Sequence, residues 1–159
     1  MAAIVYPLTM RKATLADAAA VRAITMSAYR KYIARIGRQP RPMTDDYGQI
    51  IAEHPVWVVC ASERPVGVLV LMAEPEAMLI YSVAVDPVYQ KSGLGRRLLA
   101  LAEERARATG YQQIRLYTNE HMVENIALYQ WLGYEETGRK PVDGTALVHM
   151  AKTLEENSA

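Results

Sequence analysis

The chain has a single cysteine, Cys60, among its 159 residues. A lone thiol cannot close an internal disulfide, and such usage fits a reducing compartment. Cys60 lies in Val56-Trp57-Val58-Val59-Cys60-Ala61, the pattern of an interior strand, so it reads as a small buried hydrophobe and not as a nucleophile. No apolar run approaches the ~20 residues needed to cross a bilayer. The N-terminus lacks the basic start and apolar core of a secretory leader, and the expectation is a cytoplasmic protein without a membrane partner. An excess of one charge is also missing: 18 Lys and Arg face 17 Asp and Glu, a formal net charge of +1. They are spread without the basic block or aromatic interleaving of a nucleic-acid binder. No serine sits in a nucleophile elbow, and no metal is expected. What remains, 51% hydrophobic and 22% charged residues, suits one soluble domain, 1–159, with a single core.

Periodicity and turn residues divide this chain into elements. Residues 8–12 read as a first strand. Thr14 and Asp17 approach a capping box, and Val21, Ile24 and Ala28 recur at helical spacing, predicting a helix to about Tyr29. Residues 30–42 read as a short helix that breaks into a loop at Gly37, and Asp45-Asp46-Tyr47 opens another that ends near His54-Pro55. Three strands, 56–62, 66–73 and 78–85, are separated by turns at Glu63-Arg64-Pro65 and Glu74-Pro75-Glu76, which makes an antiparallel meander. A helix from Gly93 to Gly110 carries Leu94, Leu98, Leu101 and Ala102 on one side. Residues 114–118 alternate as a strand, and the crossover helix before it predicts that strands 78–85 and 114–118 run parallel. Residues 123–132 form a helix stopped by Gly133. Segments 134–138 and 145–153 close the chain as a hairpin, and 155–159 is expected to fray.

The most informative stretch is Val83-Ala84-Val85-Asp86-Pro87, followed by Gln90-Lys91-Ser92-Gly93-Leu94-Gly95-Arg96-Arg97. A buried strand ends at Asp-Pro, and a helix begins after two glycines. A helix start offers unpaired N–H groups and the positive end of its dipole, a ready site for phosphate. Gly93 and Gly95 bring no Cβ into the space an anion would fill. Arg96 and Arg97 sit in the first turn, where the dipole disfavours cations, which makes sense if an anion binds there. A phosphate-binding P-loop is excluded because Arg-Arg-Leu follows the second glycine in place of Lys-Ser/Thr. A dinucleotide fingerprint fails at Leu98, where its third glycine belongs. The remaining pattern, Gln/Arg-x-x-Gly-x-Gly/Ala after a strand ending in Val-Asp-Pro, resembles the GNAT superfamily of acyl-CoA-dependent N-acyltransferases.

That resemblance covers essentially the whole chain in element order. It implies an α/β fold: a mixed, mostly antiparallel twisted sheet of about seven strands, helices on both faces, and two parallel strands splayed around the arm of coenzyme A. It implies that the backbone of Val83, Ala84 and Val85 grips the pantetheine arm as an added strand would. Lys91, Ser92, Gly93, Leu94, Gly95 and Arg96 would supply N–H groups to the pyrophosphate, with Gln90 adding its amide. A second match, Asn125-Ile126-Ala127-Leu128-Tyr129-Gln130-Trp131-Leu132-Gly133-Tyr134, is similar to the superfamily's Asn…Leu-Tyr-x-x-x-Gly-Phe/Tyr segment. Asn125 and Tyr129 are four apart and share one helix face. Tyr129 would then protonate the departing thiolate, and Asn125 would hold the arm or the acyl carbonyl. Many members place the asparagine seven residues before this tyrosine; here that position is Met122, which leaves Asn125 and Asn119.

The general base stays open among Glu76, Tyr81, Glu120, His121 and a water chain, since the glutamate of histone-directed relatives falls near Leu79. Acceptor recognition is expected in 29–54, where two patterns oppose each other. Tyr29, Tyr32, Tyr47, Asp45, Asp46 and Glu53 suit a cation, whereas Arg30, Lys31, Arg35, Arg38 and Arg41 suit a carboxylate or phosphate. The resemblance implies acetyl transfer from acetyl-CoA to a primary amine of a small molecule or peptide by direct attack, and a homodimer through an edge strand. The alternatives are a non-catalytic acyl-CoA sensor on the same fold and a nucleotide-binding module.

Overall fold

A computed structural model describes residues 7–155; residues 1–6 and the last four residues of the expected frayed tail lie outside the described residues. Its strands are β1 (Leu8–Lys12), β2 (Val56–Ala61), β3 (Arg64–Ala73), β4 (Met78–Val85), β5 (Gln113–Asn119), β6 (Glu135–Val142) and β7 (Thr145–Thr153). Its α-helices are α1 (Ala18–Tyr29), α2 (Tyr32–Ile36), α3 (Tyr47–Glu53), α4 (Leu94–Ala108) and α5 (Val123–Trp131). The predicted elements are all present, with bounds shifted by a few residues. Short 3-10 turns at Leu15–Asp17, Arg41–Thr44 and Pro87–Tyr89 had not been read from the sequence. β6 also runs on to Val142, because pairs such as Lys140↔Leu147 and Pro141↔Ala146 impose strand geometry on residues of poor strand propensity.

One seven-stranded sheet results, in the order β1-β2-β3-β4-β5-β7-β6. All pairings are antiparallel except β4 with β5. Strand alternation divides the apolar residues between two faces. Val59, Leu69, Leu71, Ile80, Ile114, Leu116 and Met150 join Leu94, Leu98, Leu99 and Ala102 of α4 in the larger core, with Leu128 and Tyr129 of α5 packed against it. Val58, Cys60, Val68, Val70 and Ala84 turn the other way, onto Val21, Ile24 and Ala28 of α1 and Ile50 of α3. Helices therefore cover both faces, as expected, and Cys60 is buried. No helix among the described residues is long and apolar enough to cross a membrane. The outer edge, β6, is exposed almost throughout and carries Glu135, Glu136, Arg139, Lys140 and Pro141, residue types that keep a free edge from pairing.

Two local features shape the site. First, β4 and β5 pair only at Met78↔Ile114, Leu79↔Arg115 and Ile80↔Leu116. At that point the β3–β4 register slips: Val70 opposes Ser82 while Leu71 opposes Ile80, which leaves Tyr81 as the extra residue of a bulge. A bulge bends its strand, so β4 leaves β5 and continues along β3, while β5 continues along β7. Second, Lys152 of β7 donates to the Leu132 carbonyl at 2.9 Å and pairs with Glu103 of α4 at 2.9 Å, which ties the end of α5 to the sheet.

The start of α1 rests on Asp17. Its carboxylate accepts the Thr14 N–H at 2.8 Å and both Arg11 nitrogens at 2.8 and 3.0 Å. The Arg11 guanidinium holds the Asp17 pKa down at about 2, against 3.8 for a free side chain. A depressed carboxylate contributes stability that is complete above its unfolded pKa and is lost as pH falls through its folded one. Asp17→Asn is therefore expected to lower Tm at pH 7 and to remove the part of the acid unfolding slope that lies between pH 4 and 2. Thermal melts across that range check it; parallel slopes in both proteins would show that Asp17 does not drive the effect.

Candidate active site

Where β4 and β5 part, a cavity of about 510 Å³ opens, lined by residues of both strands, α1, the segment after α2, α5, β6 and β7. A parted ladder leaves main-chain groups without partners. The Val83 carbonyl faces the gap, where the Tyr29 hydroxyl lies 3.4 Å from it and 3.4 Å from Ser82 Oγ. The Val85 carbonyl points to the same side and accepts from the Gln90 carboxamide at 3.0 Å. Asp86, by contrast, donates its N–H to Val66 of β3. Alternation along β4 thus turns the polar groups of Val83 and Val85 away from β3. Between them, the Ala84 side chain is buried on the α1 face.

The loop after β4 begins with Asp86, whose carboxylate accepts the Val88 N–H at 3.0 Å. Its turn bonds engage Tyr89, Gln90 and Arg97, whose N–H groups donate to the carbonyls of Asp86, Pro87 and Gly93. The N–H groups from Lys91 to Arg96 take no part in those bonds. Lys91 and Gly93 adopt left-handed φ values of 65° and 88°, a backbone form that turns successive N–H groups toward a common point. A Cβ built on Gly93 or Gly95 meets nothing within 4 Å. The α4 start is therefore an open, donor-lined concavity, and a Cβ would intrude on it without clashing with protein. Ser92 donates to the Tyr89 carbonyl, Leu94 is buried in the core, and Arg96 stacks on the exposed Trp131 ring of α5 at 4.7 Å.

Tyr129 and Asn125 both line the cavity from α5. The Tyr129 ring packs edge-on against Tyr134, centroids 6.0 Å apart. Burial, with Tyr29 and Tyr32 nearby, raises its pKa above the ordinary phenol value, so the hydroxyl keeps its proton at neutral pH. Asn119 also lines the cavity, but its amide is engaged, donating to Thr145 Oγ1 at 2.9 Å and accepting the His121 N–H at 3.0 Å. Met122 is buried with Tyr32 and Ile36.

The base candidates scatter. Tyr81 lines the cavity, but its hydroxyl donates to Asp45, and burial together with that carboxylate raises its pKa. Glu76 lines a smaller adjoining cavity of about 160 Å³, which shares Tyr117 and His149 with the first but does not place Glu76 in it. Glu120 and His121 are not among the cavity's lining residues. Sequence reasoning missed His149. It lines the cavity from β7, opposite Tyr117 of β5 in register, with ring centroids 4.3 Å apart. Partial burial, then Lys140 and Arg115, lower its pKa below 6.5, so the imidazole is neutral at pH 7. The only available signal was alternation, since Val148 and Met150 flank it on the core face. No group of three or more potential metal ligands is found among the described residues.

Residues 19–134 match the acetyltransferase (GNAT) family, and the chain belongs to that family. It is 42% identical over 55 residues to the mycothiol acetyltransferase of Streptosporangium roseum, a match covering 35% of this chain. The chain spans only part of the mycothiol acetyltransferases it matches, 16% of that one and 33% of the one from Thermobispora bispora. Among solved structures, the PaiA N-acetyltransferase of Thermoplasma acidophilum in complex with coenzyme A superposes with a TM-score of 0.77 at 16% identity, over 92% of this chain and 99% of that one. YncA of Salmonella typhimurium with acetyl-CoA gives 0.72 at 24% identity, over 96% of each chain. The fold is the one these proteins share.

Proposed function

We propose that the protein is an N-acetyltransferase that moves an acetyl group from acetyl-CoA to a primary amine of a small molecule or peptide, by direct attack with both substrates bound. The observation that carries this is the parted β4–β5 ladder, which leads from the donor-lined start of α4 to a cavity holding Tyr129. The residues present fit coenzyme A. Lys91, Ser92, Gly93, Leu94, Gly95 and Arg96 hold the diphosphate, with Gln90 bracing the loop against Val85. Val83, Val85 and Asn125 hold the arm, and the gap-facing groups of Val83 and Val85 serve as the free side of a strand. Ala84, expected to grip the arm as well, turns its polar groups to Val68 of β3 and its side chain to α1, so it only spaces the two.

Acetyl-CoA supplies the activated acyl group as a thioester. Holding the amine against it provides much of the acceleration, up to about 7–11 kcal/mol in well-aligned systems. As the N–C bond forms and the C–S bond breaks, the Tyr129 hydroxyl donates a hydrogen bond to sulfur. A thiolate of pKa ~8.5 is a weaker base than the phenolate Tyr129 would become, so the phenol stays protonated and sulfur takes its proton finally from solvent. The proton shed by nitrogen goes to His149, directly or through water, because the cavity's phenols are already protonated. Asp143, the one carboxylate lining the cavity among the described residues, lies beside Arg38.

An imidazole accepts a proton only when neutral. Its lowered pKa keeps His149 competent at pH 6.5 and above, and competence is lost as pH falls through the folded value. The kcat/KM profile is expected to show an acid limb below pH 6.5 that His149→Gln removes, with a loss of about 10²–10⁴-fold near neutrality. An identical acid limb in the variant would exclude His149. The overall reading is tested by following free thiol release from acetyl-CoA with an amine panel. Tight CoA binding without release from any amine would identify a sensor instead.

A further inference from the structure

Resting on the transferase reading, we propose that the acceptor is an amine bearing a carboxylate and that Arg38 receives that carboxylate. Of the acidic and aromatic groups expected to attract a simple cation, Tyr29 lines the cavity with its hydroxyl on Ser82 and the Val83 carbonyl, and the others are committed elsewhere. Asp45 accepts from Tyr81, Asp46 caps α3 by accepting the Gln49 N–H, and Glu53 accepts from the Gln49 side chain. The Tyr47 hydroxyl donates to the Pro42 carbonyl. Tyr32 is buried in the small cluster with Ile36 and Met122. Lys31 and Arg35 lie over its ring, Arg35 also pairs with Glu124, and neither lines the cavity.

The cavity itself carries Arg38 and Arg41 from the segment after α2 and Lys140 from β6, against one carboxylate, Asp143. Three cations repel an ammonium that comes alone. They favour one that brings an anion with it. Arg38 is the specific candidate: its Nε is buried without a hydrogen-bond partner, a state that costs free energy for a charged donor, while its side chain as a whole is 32% exposed, which leaves the guanidinium partly open. Asp143 Oδ2 stands 3.6 Å from that nitrogen, too far for a hydrogen bond. The Asp143 side chain is 75% exposed, at a hairpin tip of left-handed residues, Asp143 and Gly144. It forms a solvent-exposed ion pair with Arg38 without giving it a hydrogen bond. The edge of a guanidinium presents two parallel N–H groups, which match the two oxygens of a carboxylate.

The test is kcat/KM for thiol release with amino acids paired with their own carboxamides, plus an O-phosphorylated amino alcohol. The amide's amine is the weaker base and is more often neutral, so chemistry alone favours the amide. A preference for the acid therefore reports binding. The acid is expected to exceed its amide by about 10- to 100-fold. Arg38→Gln is expected to bring that ratio close to one, and Arg38→Lys to restore part of it. A ratio near one in the unmodified protein, with amides turning over, would overturn the proposal and leave the transferase reading standing. So would a ratio that survives Arg38→Gln, or a phosphorylated amine preferred over every acid. Thiol release from no amine at all would overturn the transferase reading itself.

Discussion

Tyr129→Phe is expected to lower kcat by about 10²–10³-fold, the cost of losing one donor to developing negative charge, while leaving CoA affinity nearly unchanged. The substitution keeps the ring, and with it the edge-on packing against Tyr134 and the contact with the core beneath α5. It removes a hydroxyl whose pKa is raised by burial and by neighbouring Tyr29 and Tyr32. Deleting a polar atom without a protein partner is close to neutral for folding or slightly stabilising. Tm should therefore hold or rise. What is lost is the phenolic donor that α5 places at the cavity beside Asn125. Turnover by thiol release, CoA affinity by calorimetry and a thermal melt separate these effects. A kcat equal to that of the unmodified protein would remove Tyr129 from the mechanism, and a CoA affinity that fell in step with kcat would make it a binding residue.

Gly95→Glu is expected to lower CoA affinity by more than about 100-fold, because like charges brought together in a binding site cost several kcal/mol. The same change should leave the fold intact. Gly95 is the second residue of α4, and its absent Cβ would meet nothing within 4 Å. Replacing glycine inside a helix gains about 0.5–1 kcal/mol. An acid in the first turn adds about 0.3–1 kcal/mol through the helix dipole. Stability and affinity are thus driven in opposite directions by one side chain, which an unfolding artefact cannot imitate. Gly93 offers no such test, since its φ of 88° makes any side chain strained there. Coenzyme A raises the Tm of a protein that binds it by mass action. That rise should appear with the unmodified protein and vanish with Gly95→Glu. An equal rise in both would place the diphosphate somewhere other than the start of α4.

The sequence made the elements legible because their signals are local. The 3.6-residue spacing of Leu94, Leu98, Leu101 and Ala102 marks α4 without reference to any partner. Gly37, Gly93 and Gly110 mark ends that the backbone confirms with φ values of 84°, 88° and 88°. The donor-lined loop was readable for the same reason: two glycines and a helix start are contiguous in the chain, and so is their chemistry. The neighbouring placement of Asn125 and Tyr129 follows from helical spacing alone.

Whatever depends on which strands become neighbours was not legible. The closing hairpin satisfies its own turn whichever of its strands meets β5, and only burial of Val148 and Met150 against α4 brings β7 there, placing His149 over Tyr117. The bulge at Tyr81 is likewise invisible in composition, although it parts β4 from β5 and creates the cavity. Residues 29–54 offered acids and bases in equal plausibility until Tyr81 of β4 engaged Asp45, local bonds to Gln49 engaged Asp46 and Glu53, and Arg38 Nε was left without a hydrogen bond. Local periodicity and glycine placement determined the elements and the donor-lined start of α4, since each is set within one turn of chain. Long-range burial decided the cavity, its imidazole and its charge, since many registers satisfy the same local pattern and only close packing selects among them.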